Sequence, residues 1–299
     1  MDKLHLMTVY VAVAESRSFA AGARRLGMSP PAVTRAVALL EHELGVKLLT
    51  RTTRHVRVTD AGQRYLDDVR RILGEVAEAD EAAAGINAEP RGHLTVTAPS
   101  LFGRMFVLPG IVEFLQRHPA MEVSALLLDR VVNMLEEGVN VAVRIGELPD
   151  SSMTAIRVGQ VRRVACAAPQ YLAAHGTPLT PAALAQYCII NTNNMGAGCE
   201  WKFGHAATAT TVHVRPRLSV TTNDAAIEAA MQGFGIARIL SYQVAALFET
   251  GALVPILSDY EPPAMPIHVI YREGRHASAK VRSFVDMMVQ HLQGDCTLR

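Results

Sequence analysis

No uninterrupted apolar run in these 299 residues approaches the roughly 20 that a membrane helix needs. The opening stretch, MDKLHLMTVYVAVAE, also lacks the basic start and cleavage site of a signal peptide, so the expected location is the cytoplasm, with no membrane partner. The four cysteines, Cys166, Cys188, Cys199 and Cys296, form no CxxC pair and no Cys/His cluster at zinc-finger spacing. That argues against structural metal. Catalytic signatures are missing too: there is no GxSxG, no phosphate-cradling glycine loop and no His/Asp/Glu grouping at metal spacing. A pyridoxal-phosphate fold would need a Schiff-base lysine, and residues 91–299 hold only Lys202 and Lys280, neither in a cofactor motif. Gly233-Phe-Gly235 reads as the turn entering a strand. Neither an enzyme nor a cofactor is expected.

The net charge is only +1, yet it is unevenly spread. Residues 1–59 carry nine Lys or Arg against four acids, residues 60–90 carry three against eight, and the remainder is near balance. A basic head therefore precedes an acidic connector, and phosphate is the natural partner of the head.

Within the head, residues 18–62 outline two helices, a tight turn and a basic hairpin. Phe19, Ala23 and Leu26 share one side of a helix over 18–26, which Gly27 stops. Ser29 is an N-cap candidate whose hydroxyl can accept a free backbone N–H, and Pro30 and Pro31 fall in the first turn, where a missing N–H matters little. The second helix turns Val33, Val37, Leu40 and Leu44 inward and leaves Thr34, Arg35 and Ala38 outward, before Gly45 ends it. After it, VKLLTRTTRHVRVT has strand spacing around a turn near Thr52 to Arg54, with Lys47, Arg51, Arg54 and Arg57 exposed. This is a wing.

The segment resembles the DNA-binding head of the LysR-type transcriptional regulators. Ser18, Phe19, Leu26, Ser29, Pro31, Ala32, Val33, Leu40, Glu41, Leu44, Gly45, Leu48, Arg51, Thr59, Ala61 and Gly62 match that family's pattern in register. Pro30 stands where the family often has Gln, Thr34 where it often has Ser, and Leu49 where it usually has Phe. The resemblance implies an all-α winged helix-turn-helix domain over 1–59, a linker and dimerisation helix over 60–89, and an α/β two-lobed effector domain over 90–299, similar to periplasmic binding proteins. Its lobe I is expected at about 90–162 and 267–299, and its lobe II at about 163–266. Ser29, Pro30, Pro31, Thr34, Arg35, Arg51, Thr52 and Arg54 are then the DNA-binding candidates. Arg35 and Thr34 are expected at base edges, Pro31 near a thymine methyl, and Arg51 and Arg54 on phosphate or in the minor groove.

From Asp60 to about Asn87 there is no proline, and Leu66, Val69, Leu73, Val76 and Ala83 recur at heptad steps interrupted by Asp80. Such a helix either lies against its own domain or pairs with a second copy. The family favours antiparallel pairing in a homodimer or homotetramer, an interrupted inverted repeat in double-stranded DNA, and RNA polymerase as a further partner.

Beyond Gly92, β-rich runs alternate with helical ones: HLTVTA, FVLPGIVEFLQRH, EVSALLL, VVNMLEEG and VNVAVRIG, then CIIN, WKF, VHVRPRLSV, DAAIEAAMQG, GIARI, YQVAALFETG, IHVIY and a closing helix over 279–292. This grammar predicts parallel sheets in two lobes. The family resemblance implies crossovers between the lobes near Val161 to Ala168 and near Pro262 to Pro266. A ligand between such lobes sits beyond strand ends at helix N-termini, whose free N–H groups attract anions. Ser100 and Leu101, and Thr222 and Asn223, open helices at matching points of the two lobes, although plain helix capping explains each singly. Asn191 and Asn193 add amides, Leu101, Phe102 and Ile145 an apolar wall, and Arg144 or Arg130 a partner for a carboxylate, unless Arg144 is tied to an acid of its own lobe. The expected effector is a small anionic metabolite. Two alternatives are a thiol sensor using Cys188 and Cys199, and a cleft enzyme fused to a DNA-binding head.

Overall fold

A computed structural model describes residues 2–51, 56–83, 89–149, 153–192, 199–205, 209–272 and 278–298. The described residues divide into an N-terminal unit and a larger unit that begins after residue 88.

The N-terminal unit is built around α1 (Lys3–Ser16), which buries Leu6, Met7, Val9, Tyr10, Ala12, Val13 and Ala14. Because apolar residues surround this helix on most sides, it has no amphipathic stripe to announce it. Arg17, at φ 47°, turns the chain, and the Ser18 hydroxyl accepts the N–H of Ala21 to start α2 (Phe19–Arg25). Helix α3 (Pro30–Leu44) follows, closed by Gly45 at φ 67°. Val33, Ala36, Val37 and Leu40 meet Leu6, Val9, Tyr10 and Val13 in one core. Strands β1 (Leu49–Arg51) and β2 (Val56–Val58) pair antiparallel, with Thr50 opposite Arg57.

Helix α4 (Asp60–Ala83) begins against that wing. The Thr59 hydroxyl donates to the Lys47 carbonyl at 2.8 Å and accepts the Gly62 N–H at 2.9 Å. The Tyr10 hydroxyl donates to the Gly62 carbonyl at 2.8 Å, and burial, with the charges of Tyr65, Asp67 and Glu41, pushes its pKa up to about 12. Leu66 and Val69, the first two residues of the heptad stripe, are buried, and Leu66 belongs to the core of its own head. The head consumes the start of the stripe, which leaves Leu73 and Val76 half-buried further along. Glu15 accepts from Arg25 at 2.5 Å and from Arg70 at 2.8 Å, joining α1, α2 and α4.

The larger unit contains two five-stranded sheets. Strand β3 (Gly92–Ala98) enters a helix whose pitch changes along its length: α5 (Ser100–Phe102), a π turn over Gly103–Val107, and α6 (Leu108–Arg117). Pro109 has no N–H, and just before it the Leu108 N–H reaches back five residues to Gly103. Strands β4 (Met121–Leu127), β5 (Val141–Ile145) and β6 (Thr154–Val161) complete the first pass through lobe I. Arg162 alone separates β6 from β7 (Arg163–Ala167), which opens lobe II. There α7 (Pro169–His175), β8 (Ile189–Thr192), the hairpin β9 (Cys199–Phe203) and β10 (Thr210–Val214), β11 (Pro216–Val220), α8 (Asn223–Met231), β12 (Ile236–Leu240), α9 (Ser241–Glu249) and β13 (Val254–Ile256) follow. The chain returns to lobe I as β14 (Met265–Tyr271) and closes with α10 (Ala279–Gly294).

The strand order is β4-β3-β5-β14-β6 in lobe I and β11-β8-β12-β7-β13 in lobe II. The alternating grammar predicts parallel sheets, but each sheet contains one reversed strand. In lobe I, β3 runs parallel to β4 and β5, but β14 is antiparallel to β5 and β6. In lobe II, β8 is parallel to β11 and β12, whereas β7 is antiparallel to β12 and β13. The reversed strands β7 and β14 are those that enter a lobe from the other one, where no crossover helix sets their direction.

Two further expectations are corrected. VVNMLEEG is a run of turns with Val131 and Leu135 exposed, because the Asn133 side chain accepts the Leu135 N–H and Arg130 forks onto Glu137. VHVRPRLSV is two strands: β10 pairs with β9, and β11 joins the main sheet beside β8. Pro216 starts the second.

Candidate functional site: DNA-reading face and ligand cleft

On α3, Ser29, Pro30, Pro31, Arg35 and Ala38 are exposed and Thr34 is half-buried, while Val33, Ala36, Val37 and Leu40 face the core. Steps of three and four residues place Pro31, Arg35 and Ala38 on one face. Ser29 occupies the N-cap position, but its hydroxyl makes no capping bond; with prolines at the first helical positions, donors that it would cap are already removed. Arg51 lies on β1, and its side chain falls outside the described residues, as do Thr52 and Arg54. Arg57 is the described, exposed cation of β2.

Glu41 couples the helix to the wing. Its Oε1 accepts the backbone N–H groups of Leu48 at 3.0 Å and Leu49 at 3.1 Å, and its Oε2 accepts from Lys47 Nζ at 2.6 Å. Burial disfavours its charge most strongly, but the bonds from Lys47, Leu49 and Leu48 together outweigh it and hold the carboxyl below the ordinary range. A groove of about 270 Å³ remains between α3 and β1, lined by Phe19, Val37, Ala38, Glu41, Lys47 and Leu49.

In the larger unit, each lobe has one of the predicted helix starts, α5 at Ser100 in lobe I and α8 at Asn223 in lobe II. Asp224, in the first turn of α8, accepts from Thr222 and from the Ala225 N–H, and these bonds, helped by the charge of Arg104, hold it below the ordinary carboxylate range. Thr222 is exposed and Asn223 half-buried. On the lobe I side, the Ser100 N–H donates to Asp129 Oδ1 at 2.9 Å and its hydroxyl donates to the Leu127 carbonyl at 3.1 Å. The N–H expected to take an effector's anionic group is thus already held by a carboxylate of this chain.

The apolar wall divides. Leu101 is half-buried and packs against cores of both lobes. Phe102 is fully buried and meets Tyr242 of α9 edge-to-face at 5.3 Å and Phe106 at 4.9 Å, so it belongs to the core and is not an accessible wall. Burial pushes the Tyr242 hydroxyl up to about 12. Ile145 packs toward the lobe I core, and strand alternation puts its neighbour Arg144 on the opposite face, so the two do not line one wall. Arg130 is committed to Glu137, at 2.7 and 2.5 Å. Asn191 is buried at the end of β8, and Asn193 lies outside the described residues.

Asp129 and Tyr242, which touch the candidate residues Ser100 and Phe102, were not among the residues that the sequence singled out. The signal for Asp129 is the parallel register: Ala98 pairs with Leu127, which aligns the residue two past β4 with the first residue of the following helix. For the thiol alternative, burial raises the half-buried Cys188 against the opposing effect of Arg217, and the Cys199 side chain falls outside the described residues. Reactive thiols are lowered, not raised.

Residues 4–63 match the family described as bacterial regulatory helix-turn-helix protein, lysR family, and residues 87–293 match the LysR substrate binding domain. PtxR, an HTH-type transcriptional regulator of Pseudomonas aeruginosa, is 32% identical over 97% of this chain and 93% of its own. CrgA of Neisseria meningitidis is 30% identical with 96% of each chain covered, and its solved structure superposes with a TM-score of 0.62 over 96% of this chain and 98% of that one. The full-length structure of AphB, a Vibrio cholerae virulence activator, shares the fold, with a TM-score of 0.63 at 24% identity over 97% and 100% of the two chains. The chain belongs to the LysR family of bacterial helix-turn-helix transcriptional regulators.

Proposed function

We propose that this regulator reads an interrupted inverted repeat as a homo-oligomer in the cytoplasm and is controlled by a small anionic metabolite bound between lobes I and II. The observation that carries the effector reading is the carboxylate of Asp129 on the Ser100 N–H: the seat is built for an anionic group, and an exposed side chain of the chain itself fills it. An effector carboxylate takes that place when Asp129 swings out. The segment after β4 then has two arrangements, which a ligand shifts only by binding one of them more tightly. The raised pKa of the half-buried Cys188 thiol favours this reading over thiol sensing.

Self-association is supported by apolar residues left at the surface. Leu73 and Val76 continue the α4 stripe beyond the head core, and Met105, Leu108 and Val112 are exposed along the lobe I helix. Pairing sets two heads on one face of the duplex, with RNA polymerase as the further partner.

Arg35 reads base edges with Thr34, and Pro31 meets a thymine methyl. Arg35→Ala should reduce the preference for operator over random DNA by about 1–3 kcal/mol, while Arg57→Ala should weaken binding to both alike. Competition binding at fixed salt measures the ratio. An unchanged ratio in Arg35→Ala would remove the direct-readout role.

The cleft is tested by Ser100→Trp, whose indole fills the seat while DNA binding is kept. Thermal-shift screening of the wild-type chain against small carboxylates should yield a stabilising ligand, by about 2.7 kcal/mol at 100 times its dissociation constant. That stabilisation should vanish in Ser100→Trp and grow in Asp129→Asn. A ligand whose effect ignores both substitutions binds elsewhere.

A further inference from the structure

Strands β5, β14 and β6 lie side by side, and their registers set His268 opposite Arg144 on one side and Arg157 on the other. Directly opposed residues of neighbouring antiparallel strands project from the same face, with Cα atoms about 4.5–5.5 Å apart. Val143, Val269 and Ile156, one residue along in each strand, belong to the lobe I core. Arg144, His268 and Arg157 therefore form a row on the other face of the sheet.

Two members of the row are unsatisfied: Arg144 Nη2 and His268 Nδ1 are buried and have no hydrogen-bond partner among the described residues. Arg157 is exposed and donates to Gln160 Oε1 at 2.9 Å. The acid that acts on Arg144 electrostatically is Glu137, and both of its oxygens are engaged by Arg130, with the Asn133 N–H on Oε1 as well. Arg144 and Arg157 flank His268 from its two sides, and buried donors without acceptors destabilise a fold. An acceptor with negative charge would relieve both defects at once.

We propose that this row is a second carboxylate-binding site of the effector domain, in which one carboxylate oxygen accepts from Arg144 Nη2 and the other from a proton on His268 Nδ1. A planar group with two acceptors suits two donors carried by directly paired residues of adjacent strands. The site does not rest on the cleft reading, since strand alternation turns Arg144 away from Ile145. It lies near the end of β5 and at the middle of β14, the strand that returns from lobe II. Nearby, Arg162 donates to Glu261 at 2.7 Å and ties the two crossover segments together. A carboxylate on Arg144 and His268 would brace the strand through which lobe II is attached.

The full-length chain, carrying isotope-labelled histidine, is titrated with sodium acetate against sodium chloride at equal ionic strength while the imidazole nitrogens are followed by NMR. The His268 signal, identified by its loss in His268→Gln, should move saturably with acetate and stay still with chloride. In Arg144→Met the midpoint should rise at least about tenfold, equivalent to 1.4 kcal/mol. Arg144→Lys keeps the charge without the fork and should bind at intermediate strength, which separates a lost contact from a disrupted strand. Ser100→Trp should leave the titration unchanged, so that failure of this site and failure of the cleft are told apart. A silent His268 signal, or an equal response in Arg144→Met, overturns the proposal, and so does a response abolished by Ser100→Trp.

Discussion

Gly62→Ala is expected to unfold the DNA-binding unit well below the wild-type temperature. A Cβ built on Gly62 would lie 2.1 Å from the Leu48 carbonyl oxygen and 2.9 Å from its carbon. Those are backbone atoms at the base of the wing, and the same carbonyl accepts the Thr59 N–H at 3.0 Å, so it is held from two sides. Relief requires α4 to back away from β1, which also strains the Tyr10 hydroxyl bond to the Gly62 carbonyl. Overpacking against immobile atoms places the loss at about 3 kcal/mol, at the upper end of such substitutions. For a unit of this size that lowers the melting midpoint by about 10–20 °C. Calorimetry of the full chain should show the shift in the transition that carries the head, with the larger unit's transition unmoved. An unshifted head transition would mean that the wing and α4 separate freely, contrary to the contact.

Glu41→Ala is expected to destabilise the same unit by about 2–4 kcal/mol, because the Leu48 and Leu49 N–H groups are left buried without an acceptor. Most of this comes from the backbone bonds: the Lys47 side chain is 76% exposed, so its ion pair is screened and adds little. Glu41→Gln retains one acceptor and should cost less. The pH dependence follows from the depressed carboxyl, whose contribution is complete above the ordinary value of 4.5 and fades as pH falls below it through the lower folded-state value. Glu15, held low by Arg25 and Arg70 against its own burial, titrates in the same direction and adds to acid sensitivity of the head. The stability gap between wild type and Glu41→Gln should therefore narrow on acidification below about pH 4.5. A gap of constant size from neutral to acid pH would show that the charge of Glu41 is irrelevant to the wing.

Both residues belong to the segment that the sequence makes easiest to read, yet neither was read for what it does. Glu41 and Gly62 register as letters of a motif. Only with β1 folded back over the C-terminal half of α3 does the carboxylate meet two backbone donors, and only with α4 started beneath Leu48 does the missing side chain matter. Helix α1 was overlooked for a related reason: a helix buried on most sides carries no polar face to give it a period. In the effector domain, strand and helix types were largely legible, since residues such as Val141, Val143 and Ile267 have strong strand preference and sit between turn residues. The exception is 131–138, where apolar spacing suggests a helix but the Asn133 side chain supplies a local turn instead.

By itself, the sequence determined the helix-turn-helix and its boundaries, the basic head against the acidic connector, and the alternation that makes two α/β lobes. These are local properties: caps, periodicity and charge act over a few residues and are written in their order. The tertiary structure decided which strands run backwards, that Asp129 holds the Ser100 N–H, that Phe102 is core and not wall, and that Arg144 shares a face with His268. Each of these depends on the pairing of strands far apart in the chain, and a single step of register or a reversal of direction moves a side chain to the other face.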